Sequence, residues 1–130
     1  MFKIENKEVY MLECALVMVG GALGALIRYF ATKLIVPING FPLSTFMVNL
    51  VGSFLIGIFT AVIVKYSDFS LVVKHLLIVG FLGSLTTFST FSLDLVKLFE
   101  NGDFVTALMY LSLSIVIGFC FAFLGLKIIN

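Results

Sequence analysis

Four long apolar runs divide the sequence, and short polar or turn-forming segments separate them. The runs cover about residues 11–36, 43–64, 71–99 and 104–129. Each run is long enough to cross a bilayer as an α-helix, which takes ~20 mostly apolar residues. The segments between them hold two prolines, a polar break and an acidic turn. The pattern predicts an all-α membrane protein in which residues 1–130 form a single domain of four transmembrane helices.

The composition indicates that lipid is the main solvent of this chain. Of the 130 residues, 62% are hydrophobic and 12% are charged, whereas soluble domains average about 45–50% apolar and about 25% charged residues. A net charge of +1 argues against a nucleic-acid partner. The lysines and the arginine are spread over both ends of the helices with only a weak bias, so insertion in both orientations is compatible with the sequence.

The inventory of reactive side chains argues against an enzyme. Cys14 and Cys120 both lie inside apolar runs, where cysteine behaves as a small hydrophobic residue. The chain has one histidine, and no Ser/His/Asp or Cys/His set occurs at a catalytic spacing. These side chains cannot form a metal-ligand cluster either. We therefore predict that the protein is not an enzyme.

The third apolar run carries a polar interruption near its centre. Six of the nine positions from Ser84 to Ser92 have hydroxyl groups. Gly83 and the adjacent, β-branched Thr86 and Thr87 continue a helix poorly. A helix broken inside a membrane is tolerated where its backbone is buried in protein or lines a wet cavity, and such breaks present carbonyls and helix ends to ions. The segment predicts a broken third helix with an ion site; a kinked helix with back-bonded hydroxyls is the alternative.

Small and polar residues recur four positions apart in the other three helices, so that each helix presents one such stripe. The stripes are Gly20, Gly24 and Arg28; Thr45, Asn49, Ser53, Gly57 and Ala61; and Tyr110, Ser114, Gly118 and Ala122. Close helix packing would explain any one stripe. A carboxamide within the second span is costly unless it has partners or water, so Asn49 favours a polar pathway.

The distribution of charge and aromatic residues predicts that the ion is an anion. We expect all seven acids in tails, helix ends or loops, away from the centre of any span, where a cation pathway would place one: Glu5, Glu8, Glu13, Asp68, Asp94, Glu100 and Asp103. Arg28 lies late in the first helix, where it is either a cationic vestibule or a residue snorkelling to the interface. Phe88 and Phe91 can turn the positive edges of their rings toward an anion. Residue chemistry alone does not say which anion.

Three segments resemble the Fluc/CrcB family of fluoride channels. They are GGALGALIRY at residues 20–29, TFMVNLVGSF at 45–54 and LTTFSTFS at 85–92. The third segment is highly specific, and the three occur in order on a four-span chain. The resemblance therefore covers essentially the whole sequence.

The resemblance implies an antiparallel, dual-topology homodimer with two narrow fluoride pathways in the cell membrane. Its role would be the passive export of fluoride, which lowers cytoplasmic fluoride. The implied pathway residues are Arg28, Asn49, Phe88, Ser89, Thr90, Phe91, Tyr110 and Ser114. The implied cofactor is a structural Na⁺ at the dimer interface, held through the backbone carbonyls of Gly83 and Thr86 of both subunits.

Two other functions stay open on the sequence alone. A small proton-coupled multidrug exporter would also have four short spans, but it needs a membrane-embedded carboxylate, and Glu13 is the one candidate. A structural membrane subunit would explain the small-residue stripes. It would not explain the broken third helix, Asn49 and Arg28 together.

Overall fold

The computed structural model describes residues 7–66 and 70–129, and within them four helical stretches are long and apolar enough to cross a membrane. The predicted all-α fold with a broken third helix is confirmed. The helices are α1 (Lys7–Leu34), α2 (Leu43–Lys65), α3 (Ser70–Val72), α4 (Gly83–Leu85), α5 (Phe88–Glu100) and α6 (Phe104–Ile129). The π-helical segment Val73–Leu82 joins α3 to α4, so that these elements and α5 together form the third span. Glu5 and Asp68 lie outside the described residues.

The first span begins earlier than its apolar run suggests. It already includes Lys7, ahead of about residue 11, and it ends at Leu34 instead of about 36. The π-helical segment has no counterpart in the sequence prediction. π-Helices are rare and occur often at functional sites. Here the segment leads directly into the interruption of the third span.

Two tight turns connect the spans on one side of the molecule. Asn39 and Gly40 have positive φ angles of 49° and 82° and reverse the chain before α2, as residues of this type do in two-residue turns. Gly102, with φ 75°, ends α5, and the Asp103 N–H donates to the Leu98 carbonyl at 2.9 Å. This is the bonding of a glycine-terminated helix. The turns hold α1 beside α2 and α5 beside α6.

The helices pack in two close pairs, and glycine makes both pairs possible. A Cβ atom added to Gly80 of the π-helical segment would lie 2.7 Å from the carbonyl oxygen of Val17 in α1. One added to Gly57 of α2 would lie 2.7 Å from the backbone nitrogen of Leu126 in α6. Membrane helices associate through such close approaches, since apolar side chains gain little over lipid. The two pairs form the frame around the interruption of the third span.

Candidate ion pathway at the helix break

Two threonines make the interruption in the third span. Thr86 and Thr87 have extended backbones, with φ and ψ of −77° and 153°, and of −151° and 120°. The Thr86 hydroxyl donates to the Leu82 carbonyl at 2.8 Å. The Thr87 hydroxyl accepts from the Thr90 N–H at 3.1 Å and so caps the start of α5. One threonine therefore closes the preceding helix, and its neighbour opens the next.

Asn49 of α2 forms hydrogen bonds with the backbone at the break. Its Oδ1 atom accepts from the Thr87 N–H at 2.9 Å, and its Nδ2 atom donates to the Thr87 carbonyl at 3.1 Å. A carboxamide within a membrane span needs hydrogen-bond partners, and the backbone of Thr87 at the break supplies them for Asn49. Because an amide nitrogen carries two hydrogens, one N–H of Asn49 is left for a further acceptor.

The break leaves two backbone carbonyl groups without the N–H donors that a continuous helix would give them. In a continuous α-helix the Thr87 N–H would donate to the Gly83 carbonyl, and the Thr90 N–H to the Thr86 carbonyl. Here these N–H groups donate to Asn49 and to the Thr87 hydroxyl. The carbonyls of Gly83 and Thr86 therefore lose their helical partners. They are the two carbonyls that the family resemblance assigns to a cation.

A cavity of about 410 Å³ lies against the break. Its wall includes six of the ten residues that the sequence predicts for the site: Asn49, Gly83, Thr86, Phe88, Phe91 and Ser114. The Ser114 hydroxyl is buried and has no hydrogen-bond partner within the described residues. Among the described residues that line this cavity, none is acidic. The cavity therefore offers unused donors without a negative charge.

A second cavity of about 260 Å³ contains Arg28. Thr32, Thr45 and Thr90 add hydroxyl-bearing side chains to its wall. Thr87 lines both cavities, so the helix break lies between them. Arg28 and Thr90 thus lie close to the break, as residues of one cavity. Ser89 and Tyr110 lie outside both cavities.

The two phenylalanines of α5 are close together but differ in burial. Their ring centroids are 5.9 Å apart. The Phe88 side chain is 80% exposed on the single chain, whereas Phe91 is 8% exposed. The Phe91 ring packs against the Tyr110 ring, with 4.9 Å between centroids. Phe91 is therefore part of the core as well as of the cavity wall, and Phe88 projects outward from the chain.

The chain is similar to known proteins over most of its length. The family model described as CrcB-like protein, Camphor Resistance (CrcB), matches residues 15–126. The chain belongs to this family. The protein named Fluoride-specific ion channel FluC 1 of Staphylococcus aureus strain Mu50 is 39% identical over 127 residues, which cover 98% of this chain and 86% of that protein. Fluoride-specific ion channel FluC of Rhizobium etli strain CFN 42 is 41% identical over 122 residues, 92% of this chain and 98% of that protein.

Family membership and the four apolar helices together make the protein a multi-pass integral protein of the cell membrane. The resemblance stated from the three sequence segments is confirmed. The matched region, residues 15–126, includes all three segments and the whole of the helix break. The residues described above therefore belong to the part of the chain that defines the family match.

The sequence prediction was wrong for one of the seven acids. Asp94 does not lie at a helix end but in the middle of α5, since the break makes α5 a short helix that begins at Phe88. Its Oδ2 atom accepts from the Thr45 hydroxyl at 2.8 Å and from the Tyr110 hydroxyl at 3.4 Å. Tyr110 is completely buried. The Tyr110 hydroxyl is thus engaged inside the chain.

Sequence reasoning therefore missed the role of Thr45 and Asp94. One signal was present, because Asp94 follows Phe91 by three positions, and residues three apart share a face of a helix. The matching signal in α2 is that Thr45 precedes Asn49 by four positions, on the polar stripe. Thr45 and Asp94 come into contact only when α2 and α5 pack together.

Proposed function

We propose that this protein is a fluoride-selective channel that exports fluoride passively and so lowers cytoplasmic fluoride. It is a channel and not an enzyme, in keeping with relatives that are named fluoride-specific ion channels over nearly the whole chain. The observation that carries the proposal is the cavity at the helix break, which is lined by Asn49, Ser114, Phe88 and Phe91 and has no acid among its described lining residues.

The chemistry of the cavity suits a small anion. The second N–H of Asn49 and the Ser114 hydroxyl can donate hydrogen bonds to it. The rings of Phe88 and Phe91 can add the positive edges of their quadrupoles. Fluoride that enters the cell as neutral HF and ionises inside would leave by this route down its gradient.

Arg28 would act at the mouth of the pathway. Arg28 lines the second cavity together with Thr32, Thr45 and Thr90. A fixed positive charge in a cleft raises the local concentration of anions. Thr90 lines this cavity, and we place Ser89 next to it on the pathway, because the Thr87 hydroxyl contacts both the Ser89 and the Thr90 hydroxyls, at 3.1 and 3.2 Å.

Tyr110 has a different role in this proposal from the one that the resemblance implies. Its hydroxyl donates to Asp94, while its ring packs against Phe91. Tyr110 would therefore orient the Phe91 ring along the pathway. Its hydroxyl would not serve as a donor to the ion.

A homodimer would complete the site. Gly83, Phe88 and Ser89 are exposed on the single chain, right at the break. Carbonyls without partners cannot face lipid without a cost of several kcal/mol each, so a second subunit should cover them. The weak charge bias of the sequence favours subunits that point in opposite directions. We propose that the membrane lipids contact the remaining apolar faces.

A structural Na⁺ fits the same interface. The Gly83 and Thr86 carbonyls have lost their helical donors, and oxygen ligands suit a hard cation. Two such carbonyls from each subunit would hold the ion. Bound there, Na⁺ would neutralise carbonyl dipoles that otherwise face one another.

The alternative functions have less support in the structure. Glu13, the carboxylate that a proton-coupled multidrug exporter would need, lies 3.6 Å from His75 Nε2 and lines neither of the two cavities. A purely structural subunit gives no reason for a buried, unpartnered hydroxyl in a cavity beside a helix break.

Ion flux from liposomes tests the proposal. Purified protein is reconstituted, and the efflux of fluoride and of chloride is measured side by side, with protein-free liposomes as the baseline. We expect fast fluoride efflux without a proton gradient and chloride efflux close to the baseline. Equal efflux of both ions, or fluoride efflux that needs an imposed proton gradient, would contradict a fluoride-selective channel.

The orientation of the subunits is tested by labelling. A cysteine is placed in the turn between Glu100 and Asp103, in a background without Cys14 and Cys120, and a membrane-impermeant reagent is added from one side and then from both. An antiparallel dimer should label to about half from one side. Complete labelling from a single side would rule out dual topology.

A further inference from the structure

The contact between Asn49 and Thr87 involves both the N–H and the carbonyl of one residue. Asn49 accepts from the first at 2.9 Å and donates to the second at 3.1 Å. In a helix the N–H and the carbonyl of a residue point in opposite directions along the axis, whereas in an extended residue they point to the same side. The carboxamide therefore matches Thr87 only in the extended conformation that it has here.

The extended conformation of Thr87 decides how α5 begins. A residue that caps a helix has a non-helical backbone, and its side-chain oxygen accepts an N–H of the first turn. Thr87 meets both conditions, since its hydroxyl accepts from the Thr90 N–H at 3.1 Å. Phe88 follows directly, so the start of α5 determines where the rings of Phe88 and Phe91 lie.

We propose that Asn49 is a positioning residue, which acts on the ion pathway through the backbone of Thr87. Its carboxamide selects the broken form of the third span over a continuous helix. Because the Thr87 N–H then donates to Asn49, it does not donate to the Gly83 carbonyl. The broken form also sets where α5 begins and therefore where its two phenylalanine rings lie. The proposal rests on the proposed function only for the identity of the ion, since the contact itself lies within one chain.

Hydrogen exchange tests the contact without any ion flux. The exchange rate of the Thr87 amide is measured in purified protein by mass spectrometry with fragmentation, for the wild type, Asn49→Ala and Ser53→Ala. Ser53 is the matched control because it lies one turn further along α2 and lines the same cavity. We expect exchange at Thr87 to be about tenfold faster in Asn49→Ala, which is ~1.4 kcal/mol, and unchanged in Ser53→Ala. Equal rates in all three proteins would overturn the proposal.

Asn49→Asp separates the positioning role from a direct contact with the ion. Aspartate keeps an acceptor for the Thr87 N–H but loses the donor and adds a negative charge. We expect amide protection at Thr87 well above that of Asn49→Ala, together with loss of fluoride flux. Protection at Thr87 that falls as far as in Asn49→Ala would overturn the proposal, because the acceptor is still present.

A backbone change at Thr87 covers the case in which Asn49→Ala does not fold. Replacing the amide that precedes Thr87 by an ester removes the N–H and leaves every side chain in place. We expect fluoride flux to fall several-fold, and Asn49→Ser to cause a smaller fall in the ester protein than in the amide protein, because the contact with the Thr87 N–H is already lost there while the bond from Asn49 to the Thr87 carbonyl remains. Unchanged flux in the ester protein would overturn the proposal. Protection at Thr87 in a wild type that carries no fluoride would instead refute only the proposed function.

Discussion

The helix pairs and the helix break hold neighbouring spans together by different means. At Gly80 and Gly57 the backbones of two helices approach so closely that no side chain fits between them. At the break and in α5 after it, side chains form hydrogen bonds between α2 and the third span, as in the contacts of Asn49 with Thr87 and of Thr45 with Asp94. The first kind of contact requires a residue without a side chain. The second requires side chains that carry a hydrogen-bond donor or acceptor.

This difference separates what stabilises the fold from what shapes the pathway. In lipid, close backbone packing is a main source of helix association, so we expect the glycine contacts to contribute most of the stability. Polar contacts within a membrane contribute little when all partners are present, but an orphaned partner is costly. Replacement of a glycine should therefore damage the whole fold, whereas replacement of a polar residue should mainly change the break.

The largest effect is expected for Gly125→Ala. The new Cβ atom would collide with the Phe54 carbonyl oxygen of α2 and would lie 3.1 Å from the backbone nitrogen of Ile58. Backbone atoms cannot turn aside, so the α2–α6 pair must separate. Overpacking costs about 1–3 kcal/mol and occasionally more, and we expect ~3 kcal/mol. The measurement is the thermal unfolding temperature in mild detergent.

Gly118→Ala is the control for this prediction. Gly118 lies on the same helix, but its added Cβ would be 3.7 Å from the nearest atom, the Ser53 Oγ. Alanine also favours a helix over glycine by about 1 kcal/mol. Gly118→Ala should therefore leave the unfolding temperature unchanged or raise it. A similar fall for both variants would mean that close backbone packing is not what stabilises the pair.

The same division marks what the sequence could predict. The four spans follow from apolar runs, and the break follows from Gly83 and the adjacent threonines, since both are local properties of the chain. The contacts of Asn49 with Thr87 and of Thr45 with Asp94 join residues far apart in sequence. They depend on how α2 packs against the third span, and no local pattern reports that.

Asp94 and the π-helical segment differ from the sequence prediction for two different reasons. Asp94 was expected near a helix end because the third apolar run reads as one long span. Once the span is broken, the same residue lies in the middle of a short helix, where Thr45 and Tyr110 satisfy its carboxylate. The π-helical segment Val73–Leu82 differs from an α-helix by one residue in its bonding. Such a small shift leaves no mark on an evenly apolar sequence.

The next largest effect is expected for Asp94→Ala. Removal of the carboxylate leaves the hydroxyls of Thr45 and Tyr110 without their acceptor, and both of these residues are buried. An orphaned buried donor costs about 1–3 kcal/mol, and we expect ~2 kcal/mol from the fall in unfolding temperature. Tyr110→Phe in the Asp94→Ala background should recover part of the loss, because it removes one of the orphaned groups. A further loss in that double variant would show that Asp94 is not the acceptor of the Tyr110 hydroxyl.

The smallest effect on stability distinguishes the two phenylalanines at the break. Isoleucine keeps most of the apolar volume of phenylalanine but removes the ring. Phe91→Ile should cost ~1 kcal/mol of stability, because the aromatic contact with Tyr110 is worth about 0.5–1.5 kcal/mol beyond burial. Phe88→Ile should cost almost nothing in the single chain, since Phe88 is 80% exposed there.

Fluoride flux should respond differently from stability in these two variants. If both rings present their edges to the ion, each variant loses a contact of similar strength, and flux should fall by up to about tenfold in each. Flux is measured in liposomes and compared with unfolding temperature for the same protein preparations. A fall in flux confined to the less stable Phe91→Ile would mean that the rings act by packing alone. Equal losses of flux with unequal losses of stability would show instead that the pathway uses the two rings alike, although the fold buries only one of them.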